Sequence, residues 1–436
     1  MTKADIVIIG SGPGGYETAA EAAAKGADVV LIERGELGGT CLNRGCIPTK
    51  ALCRSAEVAR LVKNASVFGI NAADVTLDYA RAVSRKNDIV TGLREGIAAE
   101  LSKVRVVKAD AAFTSAHTVK AGNEEFTADK IIIATGSRPA SLPVPGAELA
   151  VNSDFILEMT ELPDSLIIIG GGVIGMEFAE IFSAFGVRVT VLEYCPEILP
   201  TFDEEIAKRL RTSLKRKGIE IVTSAQVTAI TAGGVECSVK GKPKSYNASL
   251  VLTAVGRTPA IPSGAIEAGI TFTERGAIAT DENMQTSIPG VFAIGDVNGR
   301  CMLAHAATAQ GKVVLGEKVD LTVVPAAVFT NPECAMAGYT EKQCADLGLT
   351  FRTGKATFRS NGKAIAMDEP EGLVKIIVGD NGRLLGCHIC GAHAADLVQE
   401  AAVIMSAGLG ADTLAGVIHG HPTLGETVVS AFRNLA

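Results

Sequence analysis

Two copies of one strand–glycine turn–helix–strand unit, followed by an antiparallel α+β domain, make up the α/β architecture this chain predicts. Three observations point to it. Glycine turns at Gly10-Ser-Gly12-Pro-Gly14-Gly15 and Gly170-Gly-Gly172-Val-Ile-Gly175 each follow an apolar run and open a helix. Gly10 to Gly170 and Glu33 to Glu193 are both 160 residues apart, so a whole unit repeats. From Pro325 onward the pattern changes to short alternating strands, Leu373–Val378 and Leu384–Cys390, and then to helical segments at Asp396–Ala407 and Thr427–Leu435. With 436 residues, 47% hydrophobic, the chain can bury ample core without cross-links. Turn-rich stretches at Pro139–Gly146 and Pro259–Gly269 mark boundaries. The expected segments are 1–145, 146–267, a central 268–324 and a C-terminal 325–436.

In the first unit, Asp5-Ile-Val-Ile-Ile-Gly10 reads as a buried strand, Tyr16–Lys25 as a helix and Asp28-Val-Val-Leu-Ile-Glu33 as a second strand ending in an acid. Gly10 permits the turn, Gly12 lets backbone approach a pyrophosphate, and Gly15 lets helix and strand pack closely. The helix N-terminus suits phosphate, and Glu33 is placed to accept a ribose hydroxyl. The context, more than the bare glycine spacing, indicates dinucleotide binding rather than a flexible turn.

The second unit reads the same way, from Ser165 through Gly170, Gly172 and Gly175 to Val187-Arg-Val-Thr-Val-Leu-Glu193. Glu193 argues for a free 2′-hydroxyl and hence for NAD, because NADP sites place a cation there. Arg188 is nearby in sequence but faces wherever its pleat dictates. Closing strands follow each unit, Lys130-Ile-Ile-Ile-Ala-Thr135-Gly136 and Ser249-Leu-Val-Leu-Thr-Ala-Val-Gly256-Arg257-Thr-Pro259. Between Lys50 and Lys130 the expectation is mostly helix, with alternating charge from Asp78 to Lys103.

Gly38-Gly39-Thr40-Cys41-Leu-Asn-Arg-Gly-Cys46-Ile-Pro48-Thr-Lys50 places two thiols five residues apart before a helix expected to start at Pro48. Ile47, Ala51, Leu52, Ala56, Val58, Leu61 and Val62 recur at helical spacing after it. A thiol near a helix N-terminus is favoured as thiolate. Two buried neighbours, a short structural bridge and a reactive pair all remain open at this point.

Thr286-Ser-Ile-Pro-Gly-Val-Phe-Ala-Ile-Gly295-Asp296 reads as a strand ending in an acid, suited either to a polyol or to capping a helix. Ile418-His419-Gly420-His421-Pro422-Thr-Leu-Gly-Glu426 supplies either an acid–base pair or two surface histidines before a helix. Cys387 and Cys390, three apart on a strand, point to opposite faces and read as packing, with no second pair to build a zinc site.

Composition excludes several classes. The net charge of −7, from 48 acids against 41 bases, leaves no basic footprint for nucleic acid. No apolar run approaches the ~18 residues of a membrane span. Ten cysteines without a secretory n-region predict free thiols in a reducing compartment, by default the cytoplasm.

Taken together, these motifs resemble the pyridine nucleotide–disulfide oxidoreductases along nearly the whole chain, in the family's order. The resemblance implies two Rossmann-like domains, one for FAD and one for NAD, and a C-terminal dimerisation domain. It makes Cys41 the interchange thiol that meets substrate and Cys46 the thiol that touches flavin, with Lys50 near the flavin and paired to Glu177. FAD would lie on Gly10, Gly12, Gly15 and Glu33, with Asp296 at the ribityl chain, and NAD on Gly170, Gly172, Gly175 and Glu193. Gly39, Thr40, Thr135, Gly136 and Gly256 complete the cofactor-binding set. His421 would be the base and Glu426 its orienting acid, reaching the flavin site of the partner subunit in an isologous homodimer. The implied reaction is NAD+-dependent oxidation of dihydrolipoamide, borne by lipoyl domains of 2-oxo-acid dehydrogenase complexes or by the glycine-cleavage H protein. Alternatives are another NAD(P)H-dependent disulfide reductase of the family or a non-catalytic flavin-binding scaffold. The chain departs from the pattern at Gln310, where a glutamate is usual, and at Ala260, where asparagine is common. It also has a short tail of ten residues after Glu426.

Overall fold

The structure, a computed structural model, describes residues 1–435. Strand β1 (Thr2–Ile9) runs into the first glycine turn, α1 (Pro13–Ala24) and β2 (Val29–Glu33). Helix α1 starts at Pro13, three residues before the expected Tyr16, because proline at the first helical position gives up no hydrogen bond. Next come α2 (Gly39–Arg44), α3 (Cys46–Lys63) and α4 (Tyr79–Glu100). Strands β3 (Arg105–Lys108), β4 (Ala111–Ser115), β5 (Thr118–Ala121), β6 (Glu124–Ile133) and β7 (Ser137–Pro139) follow.

One expectation is filled out here and two change. The stretch from Lys50 to Lys130 is helical for most of its length, above all over residues 79–103, but it also holds β3 to β5, which are too short and too polar for a period of two to stand out. Helix α3 starts at Cys46 rather than Pro48. Along it, Val58 and Leu61 are exposed while Ala59 joins Leu52 and Ala56 in the core, a rotation that loose helical spacing could not resolve.

The second copy runs α5 (Ser153–Glu158), β8 (Ser165–Ile169), α6 (Val173–Ala184), β9 (Arg188–Leu192), α7 (Glu204–Arg216) and β10 (Glu220–Val222). A meander of β11 (Ala225–Thr231), β12 (Gly234–Val239) and β13 (Lys242–Asn247) leads into β14 (Leu250–Thr253). The parallel core of the first sheet is ordered β3-β2-β1-β6 and that of the second β10-β9-β8-β14, so the repeat extends to topology. In the first sheet Ile6 pairs with Val29 and Lys130; in the second Leu166 pairs with Val189 and Leu250. Ile8, Leu31 and Ile132 in one, and Ile167, Val191 and Leu252 in the other, are fully buried, as expected for parallel strands covered on both faces.

The chain then forms β15 (Arg257–Pro259), which pairs antiparallel with β7, β16 (Val291–Ala293), which extends the first sheet beside β6, and α8 (Ala304–Val314). Of the strand expected over Thr286–Asp296, only β16 forms. The C-terminal part contains β17 (Ala326–Val328), β18 (Glu333–Gly338), α9 (Glu341–Asp346), β19 (Phe351–Thr357), α10 (Gly362–Ala366), β20 (Leu373–Gly379) and β21 (Leu384–Gly391). It ends in α11 (Ala394–Ser406), α12 (Ala411–Gly416) and α13 (Gly425–Arg433). Its antiparallel sheet is ordered β17-β18-β21-β20-β19. Strand β20 is buried at every position, so it does not alternate core and solvent as expected; Lys375 and, on β21, His388 are fully enclosed.

Two compact units emerge. One comprises Met1–Ala51, Val83–Ala140 and Arg257–Leu321; the other comprises Leu52–Ala82, Ser141–Gly256 and the chain from Thr322 onward. Among the described residues, no helix is long and apolar enough to cross a membrane.

Candidate active site

Both glycine turns are built by the same contacts. A Cβ on Gly15 would stand 1.9 Å from the Gly10 carbonyl oxygen, and one on Gly175 would stand 2.0 Å from that of Gly170. Only glycine lets each helix sit this close to its strand. At Gly12 and Gly172 a Cβ would meet nothing within 4 Å, so the side of each turn where a pyrophosphate would lie is open.

The acids at the strand ends are held in parallel fashion. Ser11 donates to Glu33 Oε2 through its amide at 2.8 Å and its hydroxyl at 2.7 Å, and the Gly35 amide donates to Oε1 at 2.7 Å. In the second copy the Gly171 amide donates to Glu193 Oε2 and the Cys195 amide to Oε1 at 2.6 Å. Each carboxylate is thereby fixed at the lip of its turn with lone pairs left for a ribose hydroxyl. Arg188 is exposed at the start of β9, the end away from the turn, so no 2′-phosphate cation is supplied there.

The thiol pair belongs to the first unit. Cys41 lies within α2 and Cys46 is the first residue of α3, with Gly45 at φ −143°, ψ −110° breaking the helix between them. Gly39, at φ +59°, brings α2 down on the first glycine turn: a Cβ there would lie 2.5 Å from the Gly12 Cα. The Asn43 amide ties the loop by donating to the Leu37 carbonyl at 2.8 Å and the Gly39 carbonyl at 2.9 Å, while Arg94 donates to Asn43 Oδ1 at 2.8 Å. The two thiols are hydrogen-bonded to each other. That hydrogen bond, then burial, holds the Cys41 thiol well above the usual thiol range, against the pull of Lys50. Of the two thiols, Cys46 stands at the N-terminus of α3 and Cys41 lies one helix earlier.

Around the same turn, the buried Thr135 hydroxyl has no hydrogen-bond partner among the described residues. Gly136 follows at φ +69°. Asp296 does not cap a helix; its carboxylate accepts from the Ser137 hydroxyl and lies 3.9 Å from Arg257 Nε. Arg257 in turn donates to Ser137 Oγ at 2.7 Å. Arg257 and Ser137 were not singled out beforehand, although Gly136-Ser-Arg-Pro139 and Gly256-Arg-Thr-Pro259 are a visible short repeat. Gln310 Oε1 accepts from the Gly295 amide at 2.7 Å and Asn298 Nδ2 at 2.9 Å. The orphaned Thr135 hydroxyl, the open Gly12 turn and the fixed Glu33 and Asp296 carboxylates together fit FAD. The open Gly172 turn and Glu193 fit NAD, with Gly256 at φ +110° closing that unit's last strand.

In the second unit, Glu177 is buried on α6 and accepts from the Phe329 amide at 3.0 Å. Lys50, in the first unit, lies on the second turn of α3. His421 Nδ1 is 3.0 Å from Glu426 Oε1, and the Thr423 amide donates to Oε2 at 2.8 Å. The imidazole is exposed. His419, by contrast, pairs with Glu400 at 2.8 Å. Cys387 packs in the C-terminal core and Cys390 is buried on the opposite face, in line with the packing expectation. Among the described residues, no cluster of metal ligands occurs.

Residues 4–311 match the family described as pyridine nucleotide-disulphide oxidoreductase, and residues 324–432 match its dimerisation domain. A dihydrolipoyl dehydrogenase of Geobacillus stearothermophilus is 38% identical over 448 residues, covering 98% of this chain and 95% of that protein. One of Bacillus subtilis is 38% identical over 449 residues, covering 98% and 96%. Among solved structures, the HOCl-induced flavoprotein disulfide reductase RclA from Escherichia coli superposes with a TM-score of 0.87 at 31% identity, covering 98% of this chain and 99% of that one.

Proposed function

This chain belongs to the pyridine nucleotide-disulphide oxidoreductases, and from that premise we propose that Cys41 and Cys46 are its redox pair and His421 its base. The protein is a flavin-dependent disulfide oxidoreductase that uses FAD and NAD, with dihydrolipoyl dehydrogenase activity. One observation carries the residue assignment: two mutually hydrogen-bonded thiols are held by Gly39 against the first dinucleotide turn.

Catalysis starts from the oxidised pair. His421 takes a proton from dihydrolipoamide at Nε2, because Glu426 holds the Nδ1–H tautomer. The substrate thiolate attacks Cys41, and Cys46 leaves as a thiolate at the start of α3, where the helix end favours negative charge. The second substrate sulfur then displaces Cys41, releasing lipoamide and leaving the dithiol. Bound FAD supplies the two-electron link between sulfur exchange and hydride transfer to NAD+. Lys50 and Glu177 are assigned as a charge pair at the flavin edge. Gly10, Gly12, Gly15, Glu33, Gly39, Thr40, Thr135, Gly136 and Asp296 hold FAD, and Gly170, Gly172, Gly175, Glu193 and Gly256 hold NAD.

The domain reading is a FAD-binding 1–145, an NAD-binding 146–267, a central 268–324 completing the FAD site and a dimerisation domain 325–436. The chain carries the family's dimerisation domain, and the exposed His421–Glu426 pair suits a homodimer in which one protomer serves the thiols of its partner. Lipoyl domains of 2-oxo-acid dehydrogenase complexes or the glycine-cleavage H protein are the substrates in the cytoplasm.

The decisive measurement is dihydrolipoamide-dependent NAD+ reduction by the wild type and by Cys46→Ser. The variant is expected to lose turnover and stay yellow with bound FAD. Retained turnover, or loss of flavin with the thiol, would sink the assignment.

A further inference from the structure

The C-terminal sheet brings a second pair of thiols together. Cys334 on β18 and Cys390 on β21 are direct cross-strand partners, and both are fully buried. Their position in the ladder is set by one hydrogen bond: the Tyr339 amide donates to the Leu385 carbonyl at 2.8 Å, making that a hydrogen-bonded pair. Pairs alternate along an antiparallel ladder, and the register runs without a shift from Tyr339/Leu385 to Cys334/Cys390. Five steps on, Cys334 and Cys390 fall in the non-hydrogen-bonded class, where Cα atoms are about 4.5 Å apart and side chains lean together. A disulfide needs Cα atoms about 4.4 to 6.8 Å apart, so the backbone can accept the bond in place. The two thiols already share a hydrogen bond, which with burial keeps the Cys334 proton in place.

The same face of the sheet carries His388, opposite Met336 on β18 and Lys375 on β20. His388 lies two residues from Cys390 on one strand, hence on one side of the sheet. Its Nε2 is 2.9 Å from the Tyr339 carbonyl, which can only accept, so Nε2 carries the hydrogen and Nδ1 the lone pair. Nδ1 is buried and has no partner among the described residues. The ring leans toward Tyr339 and Gly386, along β21 away from Cys390, so the two apposed thiols are left to react with each other. Cys387, on the opposite face, is part of the ordinary apolar core.

We propose that Cys334 and Cys390 form a second dithiol, separate from Cys41–Cys46, which a small neutral peroxide converts to a cross-strand disulfide linking β18 to β21. The Cys390 sulfur attacks one peroxide oxygen and the O–O bond breaks. Its thiol proton passes to the departing hydroxide, giving a sulfenic acid and water. The Cys334 sulfur then displaces hydroxide from that sulfur. The S–S bond forms, and the second thiol proton leaves with the hydroxide as a second water. Two thiols lose two electrons, both taken by the peroxide oxygens. Hydrogen peroxide is small and uncharged enough to enter a closed interior. The slow step is its entry, so this pair oxidises later than exposed thiols.

The test treats the FAD-loaded enzyme with hydrogen peroxide, alkylates remaining thiols and maps peptides by mass spectrometry. The expected product is a linked peptide pair carrying Cys334 and Cys390, reversed by dithiothreitol and absent from Cys334→Ala. Thermal unfolding of the treated wild type should move up by several degrees, because the link restrains the unfolded chain. The shift should vanish in Cys334→Ala, whose dihydrolipoamide turnover before treatment should equal that of the wild type. Should Cys334→Ala fold poorly, peptide mapping of the wild type decides alone. Full alkylation of both sulfurs after treatment, oxidation of either to a sulfinic acid with no link, or a link through Cys387 would overturn the proposal.

Discussion

The His421 imidazole and the Glu426 carboxylate meet at 3.0 Å through Nδ1 and Oε1, while the Thr423 amide holds the other carboxylate oxygen at 2.8 Å. The Thr423 hydrogen bond and His421 keep the Glu426 carboxyl below the usual carboxylate range, so it is ionised whenever the imidazole must act.

Removing the base should therefore cost more than removing its holder. His421→Gln is expected to lower kcat for dihydrolipoamide by roughly 10²- to 10⁴-fold, the usual worth of a positioned base. Glu426→Gln should cost less, because the imidazole stays in place while its Nδ1–H loses the ionised acceptor that fixes its tautomer. Bound FAD should be unchanged in both. Stopped-flow rates of enzyme reduction by dihydrolipoamide check this, and a Glu426→Gln rate equal to that of the wild type would remove the carboxylate from the proposed role.

Two glycines of the second turn separate binding from folding. Gly172→Ala meets open space and should fold normally, while its methyl group obstructs the pyrophosphate and raises the KM for NAD+. Gly175→Ala would drive a methyl to 2.0 Å from the Gly170 carbonyl oxygen, pushing α6 off β8. It should lose about 1–3 kcal/mol of stability as an overpacked core. Calorimetry with NAD+ titration distinguishes the two outcomes.

Gln310 anchors the turn that presents Asp296. Gln310→Ala leaves the Gly295 amide and the Asn298 side chain without their shared acceptor, a loss of about 1–3 kcal/mol for each buried donor left unpaired. The expected result is weaker FAD retention on dialysis, with NAD+ binding unaffected. Undiminished flavin content would show that the turn holds without it.

Lys375 should make stability pH-dependent through Asp203. The buried ammonium lies 2.9 and 3.0 Å from the two Asp203 oxygens and 2.6 Å from Glu341. Burial opposes both charges. His388 and Lys375 nevertheless bring the Asp203 pKa below its ordinary value, and Glu341 and Asp203 raise that of Lys375. A lowered carboxyl pKa contributes stability above its unfolded value, about 4, which is lost as pH falls through the folded value. Asp203→Asn removes one of the carboxylates around the buried cation, leaving Glu341 at 2.6 Å, and should cost about 1.5–3 kcal/mol near neutrality. The Tm deficit against wild type should shrink as pH drops below about 4. A deficit constant down to pH 2 would mean that the pair is not ionised in the fold.

Much of the site was legible because its parts are local. Gly10, Gly12, Gly15 and Glu33 act within one strand–turn–helix–strand unit, and their 160-residue echo at Gly170 to Glu193 extends to the amides that hold each acid. The elements misjudged were those whose environment is not local. Strands β3 to β5 are short and polar, and they exist because β2 and β6 offer edges to pair with. Lys375 and His388 read as the polar face of half-exposed strands, yet β20 and β21 are central and covered on both sides.

Residue order alone determined the doubled dinucleotide unit, the thiol pair and the His421–Glu426 pair, because each is a spacing along the backbone that turn and helix geometry convert directly into position. Only the folded molecule decided that the neighbouring Cys46 and burial raise the Cys41 thiol, that Ser137 and Arg257 hold Asp296, and that Cys334 faces Cys390. Those relationships depend on which strands become neighbours and how deeply they are buried. That is a property of long-range pairing and desolvation, and no short stretch of sequence carries it.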